Sequence, residues 1–194
     1  PYMGICLGFQ VAVIEFARHV LGIEDANSTE FNPATPNPVI SELPEQKKVE
    51  QLGGSMRLGG QDVAIRPGSL AAHLYDGKRT IRERFRHRYE VDPGFVDRLE
   101  AAGMCFSGRH PEHPIMQFLE LPGPDQPGGH PFFIGAQYHP ELTSRPLTPQ
   151  PMFMGLVAAA LKRKHPDADV GRWVRPAVSR PKPGGVTQGV AQVC

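Results

Sequence analysis

A cysteine stands between two glycines in Gly4-Ile5-Cys6-Leu7-Gly8-Phe9-Gln10, and a histidine precedes a glutamate by two residues in Gln137-Tyr138-His139-Pro140-Glu141. Thiol chemistry needs the thiolate, and so a stabilising environment, a base, or both. The cysteine segment supplies an environment. Tyr2 to Ile5 reads as the end of a strand, and from Phe9 to Leu21 apolar residues recur near the helical period at Phe9, Val13, Phe16, Ala17, Val20 and Leu21. A strand that turns abruptly into a helix lifts the residue at the bend to the helix N-terminus, where N–H groups and the dipole favour an anion. Gly4 and Gly8 remove side chains that would clash at such a bend, the same mechanics as the Gly-x-Ser-x-Gly elbow of hydrolases. Cys6 is thus expected to be a nucleophile with a lowered pKa, although most free cysteines are buried and structural. Cys105, in an apolar strand without such a turn, is expected to be structural, and Cys194 in the tail has no assigned role.

The base is expected at His139. It follows the apolar run Phe132 to Gln137, and functional groups in open α/β sheets collect at the carboxyl ends of strands. Glu141 could accept a hydrogen bond from the imidazole and fix its tautomer, with Pro140 stiffening the link. His19, His73, His110, His113, His130 and His165 read as surface histidines. A metal site from His110, His113, His130, His139 and Glu141 would match no common zinc spacing, so none is expected.

The rest of the chain must position these groups. Gly22 closes the first helix. Ile23 to Ser41 reads as a long ordered loop of the kind that carries function. Gly53 to Gly60 reads as a glycine-bounded short strand or turn, and Asp62 to Ile65 as a strand. Ser69 caps a short helix to about Tyr75. Thr80 to Val91 alternates, with Ile81, Phe85, Tyr89 and Val91 on one face and Arg82, Arg84, Arg86 and Arg88 on the other. A helix follows from Gly94 to Ala102, then strands over Met104–Ser107, Ile115–Leu121 and Phe132–Gln137, then a helix over Met152–Lys162. Strands alternating with helices point to an α/β fold with a largely parallel sheet. Beyond Pro166 the pattern collapses into Pro, Gly and basic residues, with Trp173 the residue best suited to dock.

Composition narrows the function classes. The 194 residues are 40% hydrophobic and 21% charged, as in a globular domain. Lys+Arg at 21 against Asp+Glu at 20 argues against a dedicated nucleic-acid binder, and Glu83 and Glu90 beside the four arginines argue the same way. No apolar run approaches a membrane span. Three widely spaced cysteines make no disulfide framework, so a reducing, cytoplasmic setting is expected. The opening Pro1-Tyr2-Met3 resembles neither a signal peptide nor a natural start, so a fragment of a longer protein is expected.

The cysteine and histidine motifs together resemble the class I (triad) glutamine amidotransferases. Asn27-Ser28-Thr29-Glu30-Phe31, Gly54-x-Met56-Arg57-Leu58-Gly59, Arg86-His87-Arg88-Tyr89-Glu90-Val91 and Gln137-x-His139-Pro140-Glu141 narrow that resemblance to the CTP synthase family, over about residues 1 to 163. It implies a flavodoxin-like α/β fold with helices on both faces of the sheet, incomplete at the N-terminus. Residues 1–163 would form a partial amidotransferase domain, and residues 164–194 a disordered tail. Cys6 would attack the side-chain amide of L-glutamine, His139 would shuttle protons and Glu141 would orient it. Leu7, Gln10, Glu30 and Arg88 match glutamine-binding positions; a zwitterionic substrate asks for an Arg and a Glu. In the whole enzymes a separate synthase domain binds ATP, Mg²⁺ and UTP and uses the ammonia to make CTP, GTP acts as effector, and the assembly is a homotetramer. No cofactor is expected in the fragment, which would be inactive or nearly so without that domain and the glycine-rich oxyanion loop upstream. The alternatives are a stand-alone hydrolase of the γ-glutamyl peptidase type and an inactive interaction module, the latter opposed by intact Cys6, His139 and Glu141.

Overall fold

The computed structural model describes residues 1–43 and 56–173. Tyr2–Ile5 forms β1 and Leu7–His19 forms α1, so a single residue separates strand from helix. Two short strands follow, β2 (Ala26–Ser28) and β3 (Asn37–Ser41), then the long β4 (Arg57–Ile65). The short helix α2 (Leu70–Leu74) leads into β5 (Thr80–His87), β6 (Glu90–Val91) and α3 (Pro93–Ala101). β7 (Cys105–Arg109), β8 (Met116–Glu120), β9 (Phe133–Ala136) and α4 (Pro151–Lys164) complete the described elements.

Capping chemistry sets several of these boundaries. Ser69 accepts from the Ala72 N–H at the start of α2, and Asp92 accepts from the Gly94 N–H at the start of α3. Pro93 and Pro151 occupy first-turn positions, where the missing N–H costs nothing. Basic residues Lys162, Arg163 and Lys164 fill the last turn of α4, matching the negative helix end.

Six strands form the main sheet in the order β1-β9-β8-β7-β4-β5, with helices on both faces. One apolar cluster unites α2 and α4 with Val63, Phe85, Phe118, Ile134 and Tyr138. The other unites α1 and α3 with Met104, Phe106, Met116 and Leu119. Each fully buried large side chain contributes about 1.5–3 kcal/mol relative to exposure. The α/β class holds, but the sheet is mixed rather than largely parallel. β1 and β9 pair in parallel, whereas β9-β8, β8-β7, β7-β4 and β4-β5 are antiparallel. No helix intervenes between β7, β8 and β9, and strands joined without a crossover return antiparallel.

Three further differences share a cause. The expected loop over 23–41 contains β2 and β3, which form a second small sheet with β6. A three-residue strand and a strand containing Pro38 show no readable alternation, and Val91, which pairs with Ile40 of β3, is distant in sequence. The single alternating strand expected over 80–91 divides into β5 and β6, each in a different sheet, leaving Arg88 and Tyr89 at the bend. Of the glycine-rich segment expected at 53–60, residues 53–55 lie outside the described residues; from Arg57 onward it joins Asp62–Ile65 as one continuous β4.

Trp173 packs against the α2/α4 cluster, and the Arg172 guanidinium lies 4.3 Å above its ring. Arg172 also pairs with Asp76, and its carbonyl lies 2.7 Å from His73 Nε2. The remainder of the expected disordered tail, residues 174–194, lies outside the described residues.

Candidate active site

Cys6 occupies the one-residue joint between β1 and α1 with φ 51° and ψ −101°, a left-handed conformation costly for any residue but glycine. The surroundings enforce it. The Cys6 N–H continues the parallel ladder to the Ala136 carbonyl at 2.7 Å, while its carbonyl already receives the Gln10 N–H of the first helical turn. Gly4 is obligatory here, because a Cβ would lie 2.7 Å from the Gly8 backbone. Gly8 is not required on that ground: a Cβ there would meet only the Tyr2 hydroxyl, at 3.9 Å. The Gly8 carbonyl instead accepts the Tyr2 hydroxyl at 2.8 Å, tying strand to helix.

A cleft of about 370 Å³ opens at the elbow, lined by Cys6, Leu7, Gln10, Glu30, Met56, Arg86, His87, Arg88 and Tyr89. Five of the seven site residues expected from sequence therefore line one cavity. Glu30 comes from the turn after β2, and Arg88 from the bend between β5 and β6. Arg88 is exposed, with no ion pair among the described residues, so its charge is available to an anion. Met56, Arg86, His87 and Tyr89 were not singled out as site residues by sequence, although the last three belong to the same motif as Arg88.

His139 and Glu141 are not part of that lining, but they belong to the same end of the sheet. Ile5 pairs with Ala136, so the chain leaves β1 into Cys6 beside the point where it leaves β9 toward His139. The His139 N–H donates to the Arg84 carbonyl at 2.8 Å, and the Cys6 thiol donates to the Arg86 carbonyl at 3.8 Å. Two residues along a strand advance about 7 Å, so β5 gathers the Cys6 sulfur and the His139 backbone into one neighbourhood. His139 Nδ1 and Glu141 Oε1 are 2.6 Å apart. An ionised carboxylate can only accept, which puts the proton on Nδ1 and leaves Nε2 with its lone pair. Nε2 is buried and has no hydrogen-bond partner among the described residues.

The electrostatics correct one expectation. The Cys6 thiol is pushed up, not down. Burial disfavours the thiolate most; the Leu7 backbone N–H pulls the other way, but the negative fields of Glu141, Glu30 and Glu90 add to the rise. One helix terminus does not offset a partly buried site facing three carboxylates. The resting group is therefore a thiol that needs a base, and the unpartnered nitrogen of His139 suits that task.

Fold and site together define a class: α/β domains that present a cysteine on a strand–helix elbow next to a histidine–carboxylate pair. The family model described as "Glutamine amidotransferase class-I" matches residues 1–159. The chain belongs to the class I glutamine amidotransferases. Among its relatives, the CTP synthase of Rubrobacter xylanophilus is 51% identical over 180 residues, which is 93% of this chain and 31% of that protein. The CTP synthase of Methanopyrus kandleri is 53% identical over 160 residues, 82% of this chain and 29% of the relative. The chain thus spans about 30% of the length of the curated relatives it matches. The solved structure of the Trypanosoma brucei CTPS glutaminase domain with bound acivicin is similar at a TM-score of 0.75 and 34% identity, covering 91% of this chain and 64% of that one.

Proposed function

We propose that this chain is the glutaminase part of a CTP synthase, cleaving the side-chain amide of L-glutamine to release ammonia. The observation that carries the reading is a strained cysteine in a cleft that also presents Glu30 and Arg88. Arg88 would take the substrate α-carboxylate and Glu30 its ammonium, so that both substrate charges are paired. Gln10 offers a buried Oε1 with no partner among the described residues, an acceptor for a substrate N–H.

With substrate seated, the Cys6 proton passes to His139 Nε2 and the sulfur attacks the amide carbon. The Leu7 N–H, first donor of α1, would hold the developing oxyanion. The imidazolium, stabilised by Glu141, returns the proton to the leaving nitrogen, and ammonia departs from a γ-glutamyl thioester. His139 then takes a proton from water, which attacks the thioester, and glutamate leaves as the sulfur is reprotonated. Substrate ammonium on Glu30 would also mute one of the fields that hold the thiol protonated.

Identities near 50% with CTP synthases support assigning the ammonia to amination of UTP, in preference to a stand-alone hydrolase. In this reading ATP, Mg²⁺, UTP and the effector GTP are bound by the synthase part of the longer protein, which works as a cytoplasmic homotetrameric ligase. Among the described residues no group of three or more His, Cys, Asp or Glu converges as a metal site. No described helix is long and apolar enough to cross a membrane. Cys6→Ala in the full-length protein is expected to abolish glutamine-dependent CTP formation and leave ammonia-dependent formation intact. Loss of both, or of neither, would overturn the assignment.

A further inference from the structure

Gln137 is fully buried two residues before His139, and its carboxamide lies between the helix and the nucleophile. Its Nε2 is 3.8 Å from Cys6 Sγ, and its Oε1 is 3.1 Å from Gln10 Nε2. Gln10 Nε2 in turn lies 2.8 Å from the Tyr89 carbonyl. Carboxamide orientation is usually ambiguous, but this chain of contacts resolves it. A backbone carbonyl can only accept, so the Gln10 nitrogen must face Tyr89. That nitrogen also faces Gln137, which must therefore present its oxygen to Gln10 and its nitrogen to the sulfur. The Gln137 N–H donates to the ladder as well, reaching the Gln117 carbonyl at 3.0 Å, which fixes the backbone from which the side chain projects.

We infer that Gln137 is a positioning residue for the nucleophile: its oriented carboxamide donates to the Cys6 sulfur and favours the thiolate. The donor is placed through Gln10 by the carbonyl of Tyr89, a residue of the cleft wall. The thiol therefore sits between an acceptor for its proton, the Arg86 carbonyl, and a donor for its charge, the Gln137 amide. A hydrogen bond to a charged group changes an equilibrium by about tenfold or more. The inference rests on Cys6 being the reactive thiol, and its test reads alkylation, which needs no glutamine turnover.

The experiment uses the full-length protein and follows iodoacetamide labelling of the Cys6 peptide by mass spectrometry from pH 7 to 11.5. Gln137→Met keeps length and removes both polar atoms. Gln137→Glu keeps the acceptor toward Gln10 but turns an oxygen toward the sulfur. The labelling midpoint is expected to rise by about one pH unit in the Met variant and further in the Glu variant, by like-charge repulsion. Gln10→Met, which frees the Gln137 carboxamide to rotate, is expected to shift the midpoint the same way by less. An unmoved midpoint in any of these variants that retains wild-type circular dichroism would overturn the inference. A shifted midpoint in a protein that proves unable to hydrolyse glutamine would support it while removing the proposed function.

Discussion

Two groups of buried polar side chains are built differently. On the α2/α4 face, the Tyr75 hydroxyl bridges Tyr138 at 2.7 Å and Gln150 at 2.9 Å. Gln150 Nε2 reaches Glu83 at 2.8 Å, Thr143 donates to the other Glu83 oxygen at 2.9 Å, and Tyr138 contacts Met152 Sδ at 3.2 Å. Elsewhere, Gln10 Oε1 and His87 Nδ1, whose residues line the cleft, and His139 Nε2, both amide atoms of Gln117 and Ser107 Oγ are buried with no partner among the described residues. A saturated network anchors the loop after His139, since Thr143 closes the turn over Pro140–Leu142. An unsaturated one keeps donors and acceptors in reserve for a substrate. Unmet polar groups in a low-dielectric site are costly, so those of cleft residues such as Gln10 are a mark of function rather than of stability.

Substitutions should separate the two groups. The largest effect is expected from His139→Gln in the full-length protein, with glutamine hydrolysis falling by about 10²–10⁴-fold and the unfolding midpoint nearly unchanged. Comparable losses of activity and stability would break the distinction. Gln150→Leu should do the reverse, costing about 2–3 kcal/mol in denaturant unfolding by leaving Tyr75 and Glu83 short of partners. Turnover per folded molecule should change little. Glu30→Gln is expected to raise the KM for glutamine about tenfold, while alkylation of Cys6 at neutral pH becomes a few-fold faster because one opposing field is gone. A slower reaction with iodoacetamide would contradict the electrostatic account.

The smallest effect concerns pH. Burial raises the Glu83 carboxyl above its ordinary value, and the hydrogen bonds from Gln150 and Thr143 only partly oppose this. A carboxyl raised in the folded state binds its proton more tightly there than in the unfolded chain. Its contribution to stability is therefore full below the unfolded value of about 4.3 and declines as pH rises through the folded value. Carbon-13 NMR of Glu83 should give a midpoint above that of a free glutamate; a midpoint at or below it would remove the effect.

How much of this was legible in the sequence follows from distance along the chain. The elbow was readable because strand end, cysteine and helix are contiguous, and the histidine–glutamate pair because a single residue separates its members. The cap at Ser69 was local as well. The raised thiol was not readable, since Glu90 and Glu141 approach Cys6 only through folding. Nor was the mixed sheet, because alternation within a strand says which face it buries but not which neighbour it takes. Glu83 is an instructive middle case. It stands between Ile81 and Phe85 at strand spacing, so the pattern already put it on the apolar face, where the structure finds it buried instead of beside the arginines. Gln137 was visible within its motif, but its orientation depends on Tyr89 and Gln10, which are remote in sequence.

Rapid acid quenching of the full-length protein during glutamine turnover, followed by peptide mass spectrometry, tests the central claim most directly. The account predicts a γ-glutamyl adduct on the peptide bearing Cys6, absent when Cys6 is alanine. Glutamate formation at an undiminished rate in the alanine variant, or an adduct on another residue, would contradict it.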